Sequence, residues 1–241
     1  RNFKKSIEKM QIKVYNFLSE YYRNRRKPMK NNIKGNILLF VTAIVWGVSF
    51  VSQSVGVETL SPFAFNGIRM LLGSLSLVPV LIFLDGKSEN RKKLYTGGLI
   101  CGLALGTASA VQTYAMKYTT AGRCGFITAL YILFVPVIGI FLGKRFRKRV
   151  AYGIALALAG MYFLCIYGDT ASFNFGDALT LVCSVCFAVH ILCVDYFSPD
   201  VNGVALSCIQ FFTAGVLNCA AMLVTGGVPS ISEVTYCMVP I

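Results

Sequence analysis

The sequence predicts an all-α integral membrane protein, a multi-pass helical bundle built from five-helix inverted repeats. Three observations predict this fold. Only 14% of the residues are charged and 56% are hydrophobic, whereas a soluble domain carries about 25% charged residues. Apolar runs of about twenty residues, the length that a helix needs to cross a bilayer core, recur along the chain. An offset of 141 residues also places part of the second half of the chain on the first half.

The apolar runs are separated by short loops, which favours antiparallel neighbours. Seven of them are long enough to span a membrane, and an eighth starts near residue 234 and is cut short at Ile241. At the second run, Ser61 supplies a capping hydroxyl and Pro62 a first-turn proline, which together predict a helix start. The seven runs cover approximately residues 37–57, 63–84, 94–116, 122–142, 150–167, 176–196 and 204–224.

Positive charge predicts the orientation of the bundle. Most of the 23 Lys and Arg residues lie in three clusters, with eleven in residues 1–34, four in residues 87–93 and five in residues 144–149. Basic loops stay in the cytoplasm. We therefore expect these clusters on the cytoplasmic side of a plasma (inner) membrane and the intervening loops on its outer side. Because the charges lie beside helix ends and not on one face, the net charge of +13 does not indicate a nucleic-acid partner.

The chain is predicted to have three parts. Residues 1–34 form a basic N-terminal segment in the cytoplasm, residues 35–170 form a first repeat of five transmembrane helices, and residues 171–241 begin a second repeat. The chain opens at Arg1, whereas Met29 begins a short basic leader. The chain is therefore expected to be either a fragment or an extended reading frame, and in the second case residues 1–28 are a non-native extension.

The internal repeat is read from residues that coincide at the offset of 141. Gly35 falls on Gly176, Trp46 on Phe187 and Ile68 on Ile209, without a gap across two helices. A repeat of five helices is odd, so the second copy must enter the membrane upside down. Inverted repeats are typical of transporters that work by alternating access, with the substrate between the halves near the bilayer midplane.

At four segments the chain resembles the EamA-type family of the drug/metabolite transporter superfamily. The likeness covers roughly residues 35–225. It implies ten helices in two inverted repeats, with both termini in the cytoplasm, and secondary transport of small metabolites, often export. This chain has seven to eight of those ten helices, so its second repeat is expected to be truncated. The segments are GNILLFVTAIVWGVSFV, SPFAFNGIRMLLGSLSLVPV, TTAGRCGFITALYILFVPVIGIFLGKR and FGDALTLVCSVCFAVHILCV.

Arg69 is the first candidate for substrate binding. It is the one Lys or Arg well inside an apolar run, seven residues after Pro62 and thus about 10 Å below the outer end of its helix. An intramembrane charge costs a few kcal/mol unless it faces a polar cavity or reaches the interface. Arg69 is therefore either a contact for an anion or carboxylate, or a structural arginine. Its repeat counterpart is Gln210, which is polar and uncharged.

Other polar and aromatic side chains in the runs complete the candidate site. His190 is the only imidazole, and it is either a proton-coupling group, because its ordinary pKa is near neutral, or a hydrogen-bonding residue. No Asp or Glu lies deep in a run, so local support for proton coupling is weak. The remaining candidates are groups expected around a central cavity, with packing or interfacial anchoring as the alternative: Trp46, Gln53, Gln112, Tyr114 and Tyr131.

Proline and glycine predict the mechanics of two helices. Pro136 lacks a backbone N–H and frees the carbonyl near residue 132. It therefore predicts a kink that either bends during gating or shapes the bundle statically, and slowed transport by a Pro136→Ala variant would favour gating. Small residues at every fourth position allow close helix packing inside the protomer: Gly98, Gly102 and Gly106 in one helix, and Gly139 and Gly143 in another.

These features and the resemblance favour a secondary transporter that exports small metabolites or drugs by alternating access. An organophosphate or nucleotide-sugar transporter on the same fold and a non-transporting membrane scaffold or sensor remain alternatives. No paired carboxylates, His–Asp set or metal cluster indicates an enzyme, and no cofactor is expected. Most of the nine cysteines lie in apolar runs and are read as small buried residues. The expected partners are a small-molecule substrate and the lipid bilayer, and a homodimer remains open.

Overall fold

The structure is a computed structural model that describes residues 33–83, 90–141, 148–165, 173–230 and 232–234, and every regular element in these ranges is helical. A short 3₁₀ turn, Ser198–Asp200, follows the seventh helix. The helices are α1 (Ile33–Thr59), α2 (Pro62–Phe83), α3 (Arg91–Ala115), α4 (Ala121–Ala129), α5 (Tyr131–Phe141), α6 (Lys148–Cys165), α7 (Phe175–Phe197) and α8 (Gly203–Thr225).

The predicted class of an all-α, multi-pass membrane protein is confirmed. Within the described residues, six helical segments are long and apolar enough to cross a membrane: α1, α2, α3, α4 with α5, α7 with its 3₁₀ turn, and α8. The predicted 150–167 run is helical as α6, whose apolar stretch is Ala151–Gly160. The predicted eighth run lies outside the described residues after position 234. Most of the loop clusters and all of residues 1–32 also lie outside them.

Side-chain caps begin the helices where the sequence changes from loop to apolar run. The Ser61 hydroxyl accepts a hydrogen bond from the backbone N–H of Ala64 at 3.2 Å, so the predicted helix start at Pro62 is confirmed. Four further caps accept from the third helical N–H at 2.9–3.3 Å. They matter because the first N–H groups of a helix have no partner within it. These caps are Asn90, Thr120, Asn174 and Asn202.

The fourth spanning segment is interrupted at Leu130, not at its proline. α4 ends at Ala129 and α5 begins at Tyr131. The N–H of Leu130 bonds to the carbonyl of Ile127 at 3.1 Å, a tighter 3₁₀ pattern. Pro136 lies inside α5, six residues further on. Its ring crowds the carbonyl four residues before it, at position 132, and the interruption lies two residues before that carbonyl.

Helix α3 is the centre of the bundle. Half of the residues in its most apolar stretch are buried, against 6% in α1. Its glycines face α8: a Cβ built on Gly98 would lie 2.4 Å from Ile209, and one on Gly102 would lie 2.7 Å from the carbonyl oxygen of Gln210. Real Cβ atoms do not approach so closely, so only glycine allows the two backbones this contact. The predicted ridge therefore lies at an interface within the chain.

The packing of α2 against α8 shows that the two repeats are inverted. Glycine and serine contacts join residues 67, 71 and 74 of α2 to residues 219, 215 and 208 of α8, respectively. Residue numbers that rise on one helix while they fall on the other define an antiparallel pair. At the offset of 141, α2 falls on α8 and α1 on α7 with its 3₁₀ turn, with ends that agree to within one residue. Equivalent helices thus run in opposite directions.

The glycine ridge predicts that alanine substitutions lower stability inside the ridge and not outside it. Gly102→Ala places a methyl group 2.5 Å from Cβ of Thr213, and we expect overpacking to destabilise the bundle by about 1–3 kcal/mol. Gly47→Ala, in the interior of α1 with nothing within 4 Å of its Cβ, is the control, and it should be neutral or stabilising. Thermal melting of the detergent-purified variants measures both. Equal melting temperatures would contradict the packing role of the ridge.

Candidate functional site

A cavity of about 520 Å³ lies between the first repeat and the start of the second. Its walls come from α1, α2, α3, α4 and the start of α5 on one side and from α7 and α8 on the other. The volume is in the range of sites for single small molecules. Seven of the eight predicted substrate-binding residues line it: Trp46, Gln53, Arg69, Gln112, Tyr131, His190 and Gln210.

Arg69 is held in place by two neutral partners. One guanidinium nitrogen donates to Oδ1 of Asn66 at 2.7 Å and the other to the hydroxyl of Ser49 at 3.3 Å. Asn66 is fully buried and donates to the carbonyl of Ser109 at 3.0 Å and to the hydroxyl of Thr113 at 2.9 Å. The side chain that orients Arg69 on α2 is therefore itself anchored on α3.

The same bonds close into a ring. The Thr113 hydroxyl donates to Oε1 of Gln53 at 3.0 Å. The amide of Gln53 donates to the backbone carbonyl of Ser49 at 3.3 Å and to its hydroxyl at 3.4 Å. Since Ser49 also accepts from Arg69, five side chains on α1, α2 and α3 form one circuit. We call this circuit the polar ring; its members are Ser49, Gln53, Asn66, Arg69 and Thr113.

The polar ring positions Arg69 without neutralising it. Among the described residues, no carboxylate contacts Arg69, and its buried Nε has no hydrogen-bond partner. The guanidinium carbon also lies 5.4 Å from the ring centre of Phe65, a weak cation–π contact. A partly buried cation whose partners are neutral is a favourable place for an anion. The hydrogen bonds of the polar ring orient the Arg69 side chain, as the structural alternative predicted. The positive charge of the guanidinium stays available to a bound anion.

A second polar pair lies in the other repeat. Nε2 of His190 on α7 is 3.1 Å from Oε1 of Gln210 on α8. An amide oxygen only accepts, so this contact is a bond donated by the imidazole N–H. At the offset of 141, His190 is the counterpart of Ser49 and Gln210 that of Arg69. The two hydrogen-bonded pairs therefore occupy equivalent positions in the two repeats.

Other lining residues follow the same equivalence. Trp46 is paired with Phe187, and Met70 with Phe211, and all four line the cavity. The cavity thus lies across the axis that relates the two repeats. This is where the substrate sites of inverted-repeat transporters are found.

The other residues predicted from the sequence lie partly at the cavity wall and partly away from it. Gln112 donates to the hydroxyl of Thr128 at 3.1 Å and so joins α3 to α4 at the cavity wall. Tyr114 is outside the cavity, with its hydroxyl 3.3 Å from that of Tyr118. This hydrogen bond raises the pKa of the Tyr118 hydroxyl above its ordinary value. Gly139 is buried in α5, whereas Gly143 lies outside the described residues.

An ion pair joins the two repeats at each end of the bundle. At one end, which we call the Asp177 end, the fully buried carboxylate of Asp177 accepts from Arg123 at 2.6 Å and from the Thr119 hydroxyl at 2.7 Å. At the opposite end, the Asp200 end, Lys93 at the start of α3 pairs with Asp200 after α7. The side chain of Asp200 is 52% exposed. Both ends of the cavity are thus bridged between the first repeat and α7.

The sulfur and carboxylate groups form no metal site in the part of the chain that the structure describes. No three His, Cys, Asp or Glu residues are grouped there. The cysteines described in these ranges are free thiols, and Cys101, Cys124 and Cys183 are buried. Cys183 and Cys186, which form a CxxC pattern on α7, are not joined.

Three members of the polar ring were missed by the sequence analysis. Ser49, Asn66 and Thr113 are short polar residues that are common in apolar helices. Asn66 precedes Arg69 by three residues and Ser49 precedes Gln53 by four, so each shares a helix face with a residue that was identified. This spacing could have predicted both. Thr113 joins them only in the folded bundle, and it has no comparable signal.

The bundle is that of a multi-pass membrane protein, with a cavity between its inverted repeats. The chain belongs to the EamA-like transporter family, whose sequence profile matches residues 33–166. It is 33% identical over 181 residues to an uncharacterized transporter of Archaeoglobus fulgidus, covering 75% of this chain and 55% of that protein. It is 27% identical over 199 residues to the uncharacterized inner membrane transporter YedA of Escherichia coli K12, covering 80% of this chain and 65% of YedA.

A more distant relative is the uncharacterized transporter YoaV of Bacillus subtilis, 24% identical over 164 residues, which are 65% of this chain and 56% of YoaV. The chain therefore spans between about half and two thirds of the length of the curated relatives it matches. The predicted family is confirmed, and the protein is an integral membrane protein of a transporter family.

The polar ring predicts that Thr113 is structurally important. Thr113→Val keeps the shape of the side chain but leaves Asn66 and Gln53 each short of a buried partner. We expect destabilisation by about 1–3 kcal/mol, seen as a lower melting temperature of the purified protein. Thr107→Val is the control, because the exposed Thr107 hydroxyl bonds only to the carbonyl of Leu103 among the described residues. A loss no larger than that of the control would show that the ring is not closed in solution.

Proposed function

We propose that the protein is a secondary transporter that moves a small metabolite or drug across the plasma membrane by alternating access, in the direction of export. The observation that carries this proposal is the cavity between the inverted repeats, which contains a partly buried arginine without a carboxylate partner among the described residues. A cation inside the membrane costs free energy, and such residues usually mark a ligand site or a substrate pathway, which a membrane scaffold lacks.

Charge at the helix ends supports an orientation. The Asp200 end carries Arg91, Lys92 and Lys93 at the start of α3, and the last residues of the 144–149 cluster begin α6. By the positive-inside rule this end faces the cytoplasm. The Asp177 end then faces the outside, and α1 runs outward from a cytoplasmic N-terminus.

The two ion pairs support alternation. Each bridges the first repeat and α7, so rocking of the halves must open one pair while the other stays closed. The pair at the Asp177 end is buried, whereas the pair at the Asp200 end is partly exposed. The interruption at Leu130 lies beside the cavity residues Ala129 and Tyr131. It gives α4 and α5 a place to bend, and a gating role for Pro136 stays a hypothesis.

The polar groups of the cavity favour a substrate with one negative charge. Arg69 is the only Lys or Arg among the described lining residues. Organophosphates and nucleotide sugars carry two or more charges, and sites that bind them usually offer several cationic or helix-terminal donors. We therefore place them second to monoanions.

Counterflow in proteoliposomes tests this function. Vesicles preloaded with a panel of carboxylates, amino acids, amines and sugar phosphates should exchange labelled monoanions faster than protein-free vesicles, with and without a pH gradient. Arg69→Gln should reduce exchange of anions about tenfold or more, while Arg69→Lys keeps the charge and should retain part of it. If the wild-type protein exchanges no solute of the panel faster than protein-free vesicles do, the proposed transport function is contradicted.

The ion pairs predict which face opens in two variants. Asp177→Asn leaves Arg123 facing a buried amide, and we expect it to loosen the Asp177 end. The buried Cys124 follows Arg123 in α4, so a membrane-impermeant maleimide should modify it several-fold faster than in the wild type. Peptide mapping by mass spectrometry measures this rate, with the buried Cys101 towards the Asp200 end as an internal reference.

Asp200→Asn is the matched control, because its carboxylate is half exposed and surface pairs contribute at most about 1 kcal/mol. It should leave the labelling rate of Cys124 unchanged. Equal acceleration of Cys124 and Cys101 by Asp177→Asn would indicate general unfolding and not a local opening.

A further inference from the structure

The two repeats place one hydrogen-bonded pair each on the same cavity. Ser49 with Arg69 joins the first two helices of the first repeat, and His190 with Gln210 joins the equivalent helices of the second. The positions correspond one to one at the offset of 141. Each repeat thus has a hydrogen-bonded pair at equivalent positions on one cavity, and the two pairs define two ends of one site.

The two ends differ in chemistry. Arg69 offers only donors and a positive charge. In the second pair the imidazole donates through Nε2 to Gln210, which leaves an acceptor nitrogen on neutral His190 and donor hydrogens on the Gln210 amide. The second end can therefore both give and accept a hydrogen bond while it carries no charge. A hydroxyl group, which also does both, is its natural complement.

The distance between the ends follows from the antiparallel packing of α2 and α8. Contacts of residues 71 and 73 with residues 215 and 211 place Arg69 level with about residue 216. Gln210 lies some six residues away, or about 9 Å along the helix axis at 1.5 Å per residue. Apart from these two pairs, the lining side chains at equivalent positions of the two repeats are apolar or aromatic: Trp46, Met70, Phe187 and Phe211. A flat apolar body fits between the two polar ends.

We infer that the cavity binds an organic monocarboxylate with a flat, aromatic body and a hydroxyl group at its far end. The carboxylate bonds to Arg69, the ring lies between the aromatic walls, and the hydroxyl bonds to His190 and Gln210. This inference rests on the proposed transport function and names its substrate class. It also makes His190 and Gln210 the residues that select for the second polar group.

Binding can be followed inside the cavity itself, because Trp46 is the only tryptophan of the chain and lines the site. Its fluorescence in the detergent-purified protein is titrated with three matched probes: 4-hydroxyphenylacetate, phenylacetate and 4-hydroxyphenylacetamide. The first has both polar groups, the second lacks the hydroxyl and the third lacks the charge. We expect the hydroxy acid to bind about tenfold more tightly than either of the others, the effect of one hydrogen bond made in a desolvated site.

Variants test whether His190 and Gln210 select for the hydroxyl group of the ligand and whether Arg69 selects for its carboxylate. Gln210→Met and His190→Leu should each reduce the preference for the hydroxyl to about twofold while the Kd of phenylacetate stays unchanged. Arg69→Gln should weaken both acids about tenfold and leave the amide unaffected. Should Arg69→Gln fail to fold, Arg69→Lys takes its place, with a several-fold loss confined to the acids. Thr107→Val, on the exposed side of α3, should bind all three probes as the wild type does.

The failures of this inference and of the transport proposal are distinguishable. Equal binding of 4-hydroxyphenylacetate and phenylacetate, a hydroxyl preference that survives both second-end variants, or no quenching by any probe overturns the inference. If the same preparation still exchanges another solute in proteoliposomes, the transport function stands. A protein that shows neither quenching nor exchange overturns both.

Discussion

The close approach of α3 to α8 is the contact on which the arrangement of the two repeats depends. Helices in a bilayer are not driven together by the hydrophobic effect, because lipid tails are as apolar as their side chains. Contact must come from packing and hydrogen bonds. The ridge of Gly98, Gly102 and Gly106 lets backbone meet backbone, and Asn218 of α8 adds a bond to the Gly106 carbonyl at 3.3 Å.

That contact also determines where the cavity can be. With α3 pressed against α8, the polar residues of α3 that do not face the ridge are directed to α1, α2 and α4, where the polar ring and the Gln112–Thr128 bond form. Each of these groups would be costly if left unpaired in a dry environment. The polar ring therefore gives rigidity to the wall that holds Arg69. The positive charge of Arg69 has no negatively charged partner among the described residues of that wall.

Much of the fold could be predicted from the sequence, because run length, caps and the offset of 141 are local or periodic signals. The cavity residues were identified largely because amides, an arginine and a histidine are rare in apolar runs. Tyr114 was misplaced for a geometric reason: it lies two residues after Gln112, about 200° around α3, and so faces away from the cavity. The helix interruption could not be placed, because it lies six residues before Pro136, beyond the turn that a proline disturbs, and no proline or glycine marks Leu130.

The two bridging ion pairs have a consequence for ionic strength. Salt shortens the Debye length from about 8 Å at 0.15 M to about 3 Å at 1 M. The Lys93–Asp200 pair is open to this screening, with half of the Asp200 side chain exposed, whereas Asp177 is shielded completely. Added salt therefore weakens the Lys93–Asp200 ion pair and leaves the Arg123–Asp177 ion pair largely unchanged. In the proposed alternating-access cycle, the balance between the two access states would then depend on the salt concentration on a single side of the membrane.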